Sequence, residues 1–364
     1  MLRSLDKRND GYELFEVTSI DDLDLATFLP MFDRAWKHDY VDDVRLAFDE
    51  AVLRKMTPGR WWVAVLACSR DGSPVGFELA LERTLRVRGH ALHAYYASMF
   101  TVSETHRRRG LGSWILEGIN RLVFEEHAAD LIVSTFHEGK AGSPTVQSTF
   151  DRIHDWGVAR FHSTPIWSRR LDKAPFPPLE FPRPCVRLER TGDSGEGALQ
   201  ARDGGDSMEV PAAGALDQLI RAEFEASFAF DTSLAGQYLN PASEASGALL
   251  YELAPDRICL ACFNVLPMAI NERRLRPIGQ LQFLLAPRCS DAEIERVIHQ
   301  MGLFLAERDC FAMTLVDMGM VPRGVLDNLG FSPTDSQITF AARGPKSTIA
   351  RFEGLRPPFF LDFT

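Results

Sequence analysis

The stretch from Phe100 to Leu116 constrains the fold more than any other part of the chain. Apolar and aromatic residues precede the turn over 91–102, as in a buried strand, and Gly110 and Gly112 follow at the turn itself. After the turn, apolar residues recur at helical spacing through Val123. The first N–H groups of a helix lack intrahelical partners and carry partial positive charge. This strand–turn–helix junction therefore predicts an anion site that fits a pyrophosphate.

Three consecutive arginines, Arg107, Arg108 and Arg109, add mobile positive charge to the same turn. The chain as a whole is acidic, with a formal net charge of −10 over 364 residues. Because an acidic surface disfavours general attraction to nucleic acid or to an anionic membrane, we expect neither as a partner. The arginine cluster therefore favours local anion binding, and a solvated helix entry is the structural alternative.

The composition, 45% hydrophobic and 25% charged residues, is typical of a globular chain with two or more domains. The segment Met1–Arg8 contains no apolar core of signal length, and no run approaches the ~18 apolar residues of a membrane span. The only CxxC, Cys259 and Cys262, has a strand-like setting and no second pair at zinc spacing. We therefore expect no metal, reduced thiols and a cytoplasmic protein.

The order of predicted elements excludes a simple alternating Rossmann pattern. Antiparallel hairpins come first, and one parallel crossover follows at the glycine turn, which predicts a mixed sheet. We expect Asp42 and Asp43 to cap the second helix. In chain order the first half comprises a strand at 12–18, two helices, strands at 60–68, 75–85 and 91–102, the turn and its helix, a strand at 130–136, a helix at 144–156 and a strand at 161–170.

A proline-rich stretch over 171–184 precedes a second half with a similar order of elements. The order indicates a tandem repeat of one fold. We predict an α/β (α+β) fold of two tandem domains, each with a mixed, mostly antiparallel sheet flanked by helices. The predicted boundaries are 1–172 and 187–364, joined by a linker over 173–186.

The segment Arg107–Gly112 resembles the acyl-CoA motif of the GCN5-related N-acetyltransferase superfamily, Arg/Gln-x-x-Gly-x-Gly/Ala. Leu329-Gly330-Phe331 is similar to the end of a later helix in the same family. The resemblance covers about 11–171 well and 184–344 loosely, and tandem arrangements are known in the superfamily. It implies that acetyl-CoA is the co-substrate and that acetyl passes to a primary amine of a small molecule by direct attack on the thioester.

The resemblance also implies which residues bind CoA. The pyrophosphate would lie on the backbone of the turn, and the pantetheine arm would pair with the end of the preceding strand. A splay between the fourth and fifth strands would place the thioester near Tyr96, Ser98 and Phe136. The implied CoA-binding residues are Phe100, Thr101, Val102, Arg107, Arg108, Arg109, Gly110, Leu111, Gly112 and Ser113.

The catalytic candidates are His137, Glu138 and Tyr96. His137 and Glu138 follow the fifth strand and are candidates for the base that deprotonates the amine; a solvated loop is the alternative. The family's acid is often a tyrosine four residues before the late glycine, a position occupied here by Ile153. Tyr95 and Tyr96 alternate on a strand, so one faces the core and one the cleft. The acid is Tyr95 or Tyr96, of which Tyr96 is taken as the candidate, or the reaction needs no acid. Core packing is the alternative for both tyrosines.

The second half departs from the motif at the corresponding turn, 285–293. Paired glycines are missing there, Pro287 removes an N–H donor, and Asp291 and Glu293 place negative charge at the helix start. Ser290 begins a capping box. We therefore expect one acyl-CoA site, in the first half.

Two other functions stay open from the sequence. One is aminoacyl transfer from charged tRNA, which relatives with doubled domains of this fold carry out; the acidic charge and the intact turn count against it. The other is a regulatory module that keeps CoA as a structural ligand without catalysis, which the missing tyrosine allows.

Overall fold

The computed structural model describes most of the chain, and the helix predicted at 144–156, with Ile153, lies outside the described part, as do Asp42 and Asp43. The described residues are 2–39, 44–57, 62–138, 157–179, 185–190, 199–201, 213–230, 234, 238, 246–254, 257–271 and 273–361.

Among the described residues, the elements predicted for the first half appear in the predicted order, and the structure adds strands at 3–7, 44–46 and 359–360 that were not predicted. The helices are α1 Leu25–Asp39, α2 Glu50–Met56, α3 Leu111–Asn120, α4 Ala213–Glu223, α5 Asp291–Glu307, α6 Arg323–Asn328 and α7 Lys346–Ile349. The strands are β1 Arg3–Lys7, β2 Glu13–Val17, β3 Val44–Leu46, β4 Trp62–Cys68, β5 Pro74–Val87, β6 His90–Val102, β7 Leu131–Glu138, β8 Gly157–Arg170, β9 Cys185–Arg190, β10 Leu199–Ala201, β11 Ala226–Phe228, β12 Ser246–Ala254, β13 Arg257–Leu266, β14 Met268–Ile270, β15 Arg273–Arg274, β16 Ile278–Leu285, β17 Ala312–Val316, β18 Ser332–Gly344 and β19 Phe359–Phe360.

One large mixed sheet runs through both halves of the chain. Its main path is β1-β2-β4-β5-β6-β7-β18-β8-β17-β16-β13-β12-β9-β10, and β11 attaches to β5 and carries β19. Strands β15, β14 and β3 form a separate small sheet that joins the two halves. The large sheet is mostly antiparallel, with parallel pairs at β6–β7, β16–β17 and β11–β19.

The two halves exchange their last strands. β18, from the end of the second half, pairs with β7 of the first. β8, from the end of the first half, pairs with β17 of the second. Because β18 and β8 also pair with each other, neither half leaves an open strand edge at the junction.

Buried side chains cover both faces of this sheet. One apolar cluster spans both halves on one face and includes α1, α2, β11 and β19; we call this the shared face. On the opposite face, one cluster lies under α3 and another under α5. The alternation of β8 fixes this assignment, because Ile166 packs in the shared cluster and Trp167 under α5.

One helix start is wrong in the sequence analysis. Residues 44–46 form β3, paired with β14, instead of the first turn of a helix. The helix α2 begins at Glu50, and the carboxylate of Asp49 accepts a hydrogen bond from the N–H of Val52 at 3.1 Å. The pairing with β14 comes from a distant part of the chain, so local capping preference could not reveal it.

Candidate functional site

The strands β6 and β7 separate at the end of their parallel pairing. Their register ends at Ala97 opposite Ser134, although the strands continue to Val102 and Glu138. On the other side of β6 the register with β5 slips by one residue, so that Met99 and Phe100 oppose one residue of β5. Met99 has a φ of 61°, as a bulge requires. The bulge bends β6 away from β7, and we call the opening between them the first splay.

The turn after β6 has the backbone of an anion site. Gly110 precedes α3 with φ 73° and ψ 9°, and it makes no side-chain capping bond. The first N–H bonded within the helix is that of Trp114, which donates to the carbonyl of Gly110 at 3.2 Å. The N–H groups of Leu111, Gly112 and Ser113 therefore point out of the helix start, where an anionic ligand is favoured.

Glycine at 112 allows the helix to approach the end of β6. A Cβ at this position would lie 3.2 Å from Cζ of Phe100 and 3.9 Å from Cγ2 of Val102. Leu111, the first residue of α3, buries its side chain in the cluster between α3 and the sheet, so only its backbone is available to a ligand. Thr101 is also buried, and its hydroxyl accepts the indole N–H of Trp36 at 2.9 Å.

The three arginines of the turn have different positions. Arg107 folds back, with Nε donating to the carbonyl of Val102 at 3.0 Å and Nη1 to Nδ1 of His38 at 3.3 Å. Arg108 is exposed and has a φ of 60°. Arg109 is exposed as well, and its Nη1 donates to the hydroxyl of Tyr12 at 2.9 Å.

A fourth arginine, which the sequence analysis missed, comes from the hairpin between β1 and β2. Nη1 of Arg8 donates to the carbonyl of Arg109 at 3.0 Å. Its guanidinium lies over the rings of Tyr12 and Trp114, 5.7 and 5.4 Å from their centroids. Only an expected contact between the first hairpin and the turn could have revealed Arg8, and the sequence contains no signal for that contact.

Tyr12 links this hairpin to the turn through a directed chain of hydrogen bonds. An arginine can only donate, so the Tyr12 oxygen accepts from Arg109 and its hydrogen goes to Nδ1 of His106 at 2.9 Å. The Nδ1 atom must then be unprotonated. Burial, followed by the charge of Arg109, lowers the pKa of His106, in agreement with a neutral ring.

The catalytic candidates Tyr96 and His137 lie on the same face of the sheet, near the first splay. Tyr96 is fully buried in the shared cluster, and its hydroxyl is 2.8 Å from Oγ1 of Thr135. His137 is half-buried two residues further along β7, opposite Ile338 of β18. Glu138 is the last residue of β7, and its side chain lies outside the described part.

Tyr95 faces the other side of the sheet. It packs in the cluster under α3, where burial raises the pKa of its hydroxyl. Of the two tyrosines weighed as the acid, only Tyr96 therefore shares a face with His137.

The corresponding junction of the second half is closed by its own side chains. The Ser290 hydroxyl accepts from the N–H of Glu293 at 3.4 Å, and the Glu293 carboxylate accepts from the N–H of Ser290 at 2.8 Å. The predicted capping box is therefore confirmed. The bonds from Ser290 lower the pKa of Glu293, so this helix start carries a negative charge.

Within the ranges given above, no three His, Cys, Asp or Glu side chains are grouped so as to hold a metal ion. No helix in the described part has the length and apolar character needed to cross a membrane.

No protein-family model matches the sequence, and no curated protein matches it either. Solved structures do match. Saccharomyces cerevisiae N-myristoyltransferase with bound myristoyl-CoA aligns with a TM-score of 0.65 and 13% identity, over 94% of this chain and 85% of that chain. A second structure of the same yeast enzyme with bound myristoyl-CoA aligns with a TM-score of 0.63 and 15% identity, over 94% of this chain and 81% of that chain.

A GCN5-related glucosamine N-acetyltransferase region of a fungal multi-domain β-N-acetylglucosaminidase aligns with a TM-score of 0.58 and 11% identity, over 92% of this chain and 38% of that chain. The chain has a GCN5-related N-acetyltransferase fold. The resemblance given by Arg107–Gly112 and the predicted α/β class are thus confirmed at the level of fold. The fold spans both halves, since each comparison covers more than nine-tenths of the chain.

Proposed function

We propose that the protein is an acyl-CoA-dependent N-acyltransferase with one CoA site, in the first half. The observation that carries the proposal is the uncapped start of α3, where Gly110 leaves three N–H groups available beside exposed Arg108 and Arg109. The solved structures of similar fold support it, since their names describe N-acyl transfer and two of them contain myristoyl-CoA.

In this proposal the pyrophosphate of CoA binds the N–H groups of the turn, with Ser113 close by, and Arg108 and Arg109 neutralise its charge. The pantetheine arm enters the first splay along the backbone of Phe100 to Val102. One edge of this segment pairs with β5 through Thr101, which leaves the edge that faces the splay for the ligand.

The chemistry needs two proton transfers. The amine nitrogen attacks the thioester carbon, the carbon–sulfur bond breaks, and the proton of the amine goes to a base while the thiolate takes one. We propose that His137, directly or through water, accepts the amine proton. Tyr96, whose hydroxyl points toward Thr135 at the first splay, is proposed to donate to the sulfur. Glu138 stays the alternative base.

We propose acetyl as the acyl group and a primary amine of a small molecule as the acceptor. The acidic net charge suits a cationic acceptor such as a polyamine or an amino sugar. Among the neighbours, the glucosamine N-acetyltransferase region supports this choice, whereas the structures with myristoyl-CoA favour a longer acyl group.

Thiol release separates these alternatives. Acetyl-CoA and myristoyl-CoA are each combined with glucosamine, spermidine and a peptide that begins with glycine. The proposal predicts turnover with acetyl-CoA and one of the small amines. Turnover only with myristoyl-CoA, or only on the peptide, would overturn the acyl or the acceptor assignment. Tight CoA binding without any turnover would favour a regulatory module, and turnover only with charged tRNA would favour aminoacyl transfer.

We also propose that residues 1–172 and 187–364 are the two repeats, with 173–186 as the linker. The exchange of β8 and β18 then joins them. A cytoplasmic location is proposed as well, supported by Cys68, Cys289 and Cys310, which are free thiols.

A further inference from the structure

The two halves can be aligned residue by residue at the ends of their parallel strand pairs. The β6–β7 pairing ends at Ala97 and Ser134, and the β16–β17 pairing ends at Leu281 and Leu315. In each half the first strand of the pair has a register slip immediately afterwards. Beyond this point β16 continues to Leu285 without pairing to β17, which ends at Val316. We call this part of the second half the second splay.

One residue before the last pair of each parallel register, a row of paired residues crosses four neighbouring strands, with its side chains on the shared face. In the first half this row is Trp62, Leu81, Tyr96 and Val133. In the second half it is Ser246, Asn264, Gln280 and Thr314, which we call the polar row. The second half thus has four uncharged polar side chains at the register positions where the first half has a mainly apolar row.

The polar row is buried, and its hydrogen bonds are incomplete. Asn264 is fully buried and Thr314 is 8% exposed. The amide nitrogen of Asn264 donates to Oε1 of Gln282 at 3.3 Å and to Oε1 of Gln280 at 3.5 Å. Among the described residues, Oδ1 of Asn264 and the hydroxyl of Thr314 have no hydrogen-bond partner. Each such buried atom costs roughly 1–3 kcal/mol, so the row is poorly explained as packing.

We propose that the polar row binds an uncharged O–H or N–H donor group of the acyl acceptor. This inference rests on the proposed function, because it assigns the row to that acceptor. Oδ1 of Asn264 can only accept, so the bound group must donate; a hydroxyl or amide N–H suits it. The row itself contains no charged side chain, and a neutral group therefore enters without an unpaired charge.

The position of the row sets the length of the acceptor. From His137 to Thr314 the sheet path crosses β18 and β8, which is three strand spacings of ~4.8 Å. It also climbs four residues along β8, from Thr164 to Ser168, at ~3.3 Å each. An acceptor that uses the row must therefore span roughly 20 Å between its amine and the recognised group. Glucosamine is shorter than this, and its acylation would not involve the row.

The test uses two variants that each remove a polar atom at nearly constant volume. Asn264→Leu introduces the residue type found at the matching position of the first half, and Thr314→Val replaces a hydroxyl by a methyl group. Thr339→Val is the matched control: this threonine is also buried, but its hydroxyl bonds Ser163 at 3.0 Å on the other face of the sheet.

The probes form two pairs of short and long acceptors with one amine and an otherwise uncharged chain: glucosamine and a linear tetrasaccharide of one glucosamine followed by three N-acetylglucosamine units, and glycinamide and a serine-rich six-residue peptide amide that begins with glycine. Binding to the CoA-saturated protein is measured by calorimetry, and acylation is measured separately. We expect a long probe to bind at least tenfold more weakly to Asn264→Leu and Thr314→Val than to the wild type. Short-probe affinity should not change. The pattern with the saccharide pair identifies a sugar hydroxyl as the donor group. The pattern with the peptide pair supports the row as the acceptor site and overturns the small-molecule acceptor of the proposed function.

Thermal stability provides the second measurement. Thr314→Val should keep or raise the Tm, because it removes an unsatisfied buried hydroxyl. Asn264→Leu should lower the Tm, because Oε1 of Gln282 and Oε1 of Gln280 lose their donor, and Thr339→Val should lower the Tm without altering binding. Equal binding of the long probes by the row variants and the wild type, or no long probe binding to the wild type, overturns the inference; the row would then hold a buried water. Binding that depends on the row, without acylation, would overturn the proposed function instead.

Discussion

Each half of this chain has a strand–turn–helix junction at the corresponding position. The two junctions differ in the backbone N–H groups and charges that a ligand would meet. After β6, a left-handed Gly110 starts α3 with no side-chain cap. After β16, Ser290 and Glu293 cap α5 reciprocally, and Glu293 also pairs with Arg257 at 2.8 Å. The first junction leaves its N–H groups for an anion. At the second junction, the N–H groups of Ser290 and Glu293 are each hydrogen-bonded to the side chain of the other residue.

The difference shows that a repeated fold and a repeated site are separate properties. The bulge, the parallel pair and the splay are present in both halves. In the function that we propose, the few residues at the turn decide which junction binds the pyrophosphate. The predictions below alter one junction at a time.

The largest effect is expected from Gly110→Glu. A side chain at this position needs a left-handed backbone and adds a negative charge at the start of α3, where the pyrophosphate is proposed to bind. We predict a loss of CoA affinity of at least 100-fold by isothermal titration, and a similar loss for Gly112→Glu, whose Cβ would contact Phe100.

The control is Gly72→Glu. Gly72 has a φ of 84° in the β4–β5 hairpin turn, and a Cβ there meets no atom within 4 Å. The two substitutions therefore share the backbone strain and differ in location. Equal CoA affinities for the Gly110→Glu variant and the wild type would refute the proposed site.

The two halves also differ at a buried position of the sheet. Glu78 of β5 lies three residues before Leu81, and Ala261 of β13 lies at the matching position, three residues before Asn264. Glu78 is fully buried, and Arg343 of β18 lies 3.9 Å away. Burial raises the pKa of Glu78 to about 7, with Arg343 opposing the shift. The folded state thus binds this proton more tightly than the unfolded state, whose value is 4.5. Stability from this group is therefore present below pH 4.5 and falls as the pH rises to 7.

Glu78→Gln removes this titration. We predict nearly equal Tm values for the variant and the wild type at pH 4.5, and a higher Tm for the variant at pH 8, by several degrees. Arg343→Met should act in the opposite direction at pH 8, because it leaves the carboxylate buried without a cation. A Tm difference between wild type and Glu78→Gln that stays constant with pH would contradict this account.

A smaller effect is expected from Arg8→Gln. Arg8 holds the carbonyl of Arg109 and adds positive charge to the turn. We predict a fall in CoA affinity of roughly tenfold, about 1.4 kcal/mol, in a titration at low salt. Arg3→Gln in the same hairpin is the control, because Arg3 pairs with Glu16 and Glu126 away from the turn. Equal losses for both variants would remove Arg8 from the site.

The smallest effect is expected at the second junction. Ser290→Ala removes half of the capping box and should lower the free energy of unfolding by about 1 kcal/mol. CoA affinity should not change, since we place no CoA there. Denaturant unfolding and titration on the same sample check both points. A changed CoA affinity would show that the second junction takes part in binding.

The sequence predicted those elements whose cause is local. The strands around Gly110, the helix α3 and the capping box at Ser290 all follow from periodicity and short-range motifs, and the structure confirms them. The exchange of β8 and β18, the start of α2 and the contribution of Arg8 were not predictable in this way. Each depends on pairing between residues far apart in the chain, for which one sequence carries no signal.

The same distinction between local and long-range causes applies to the candidate site. The turn could be assigned from the motif, and its left-handed Gly110 agrees with that assignment. The polar row required the register of four strands, because Asn264 and Thr314 are ordinary strand residues when considered singly. The roles of His137, Glu138 and Tyr96 stay predictions.

A crystal structure of the protein with acetyl-CoA tests the central claim most directly. We predict one CoA per chain, with its pyrophosphate on the N–H groups of residues 110–113 and its thioester in the first splay, near Tyr96. CoA bound at residues 285–293, or at both junctions, would contradict the account.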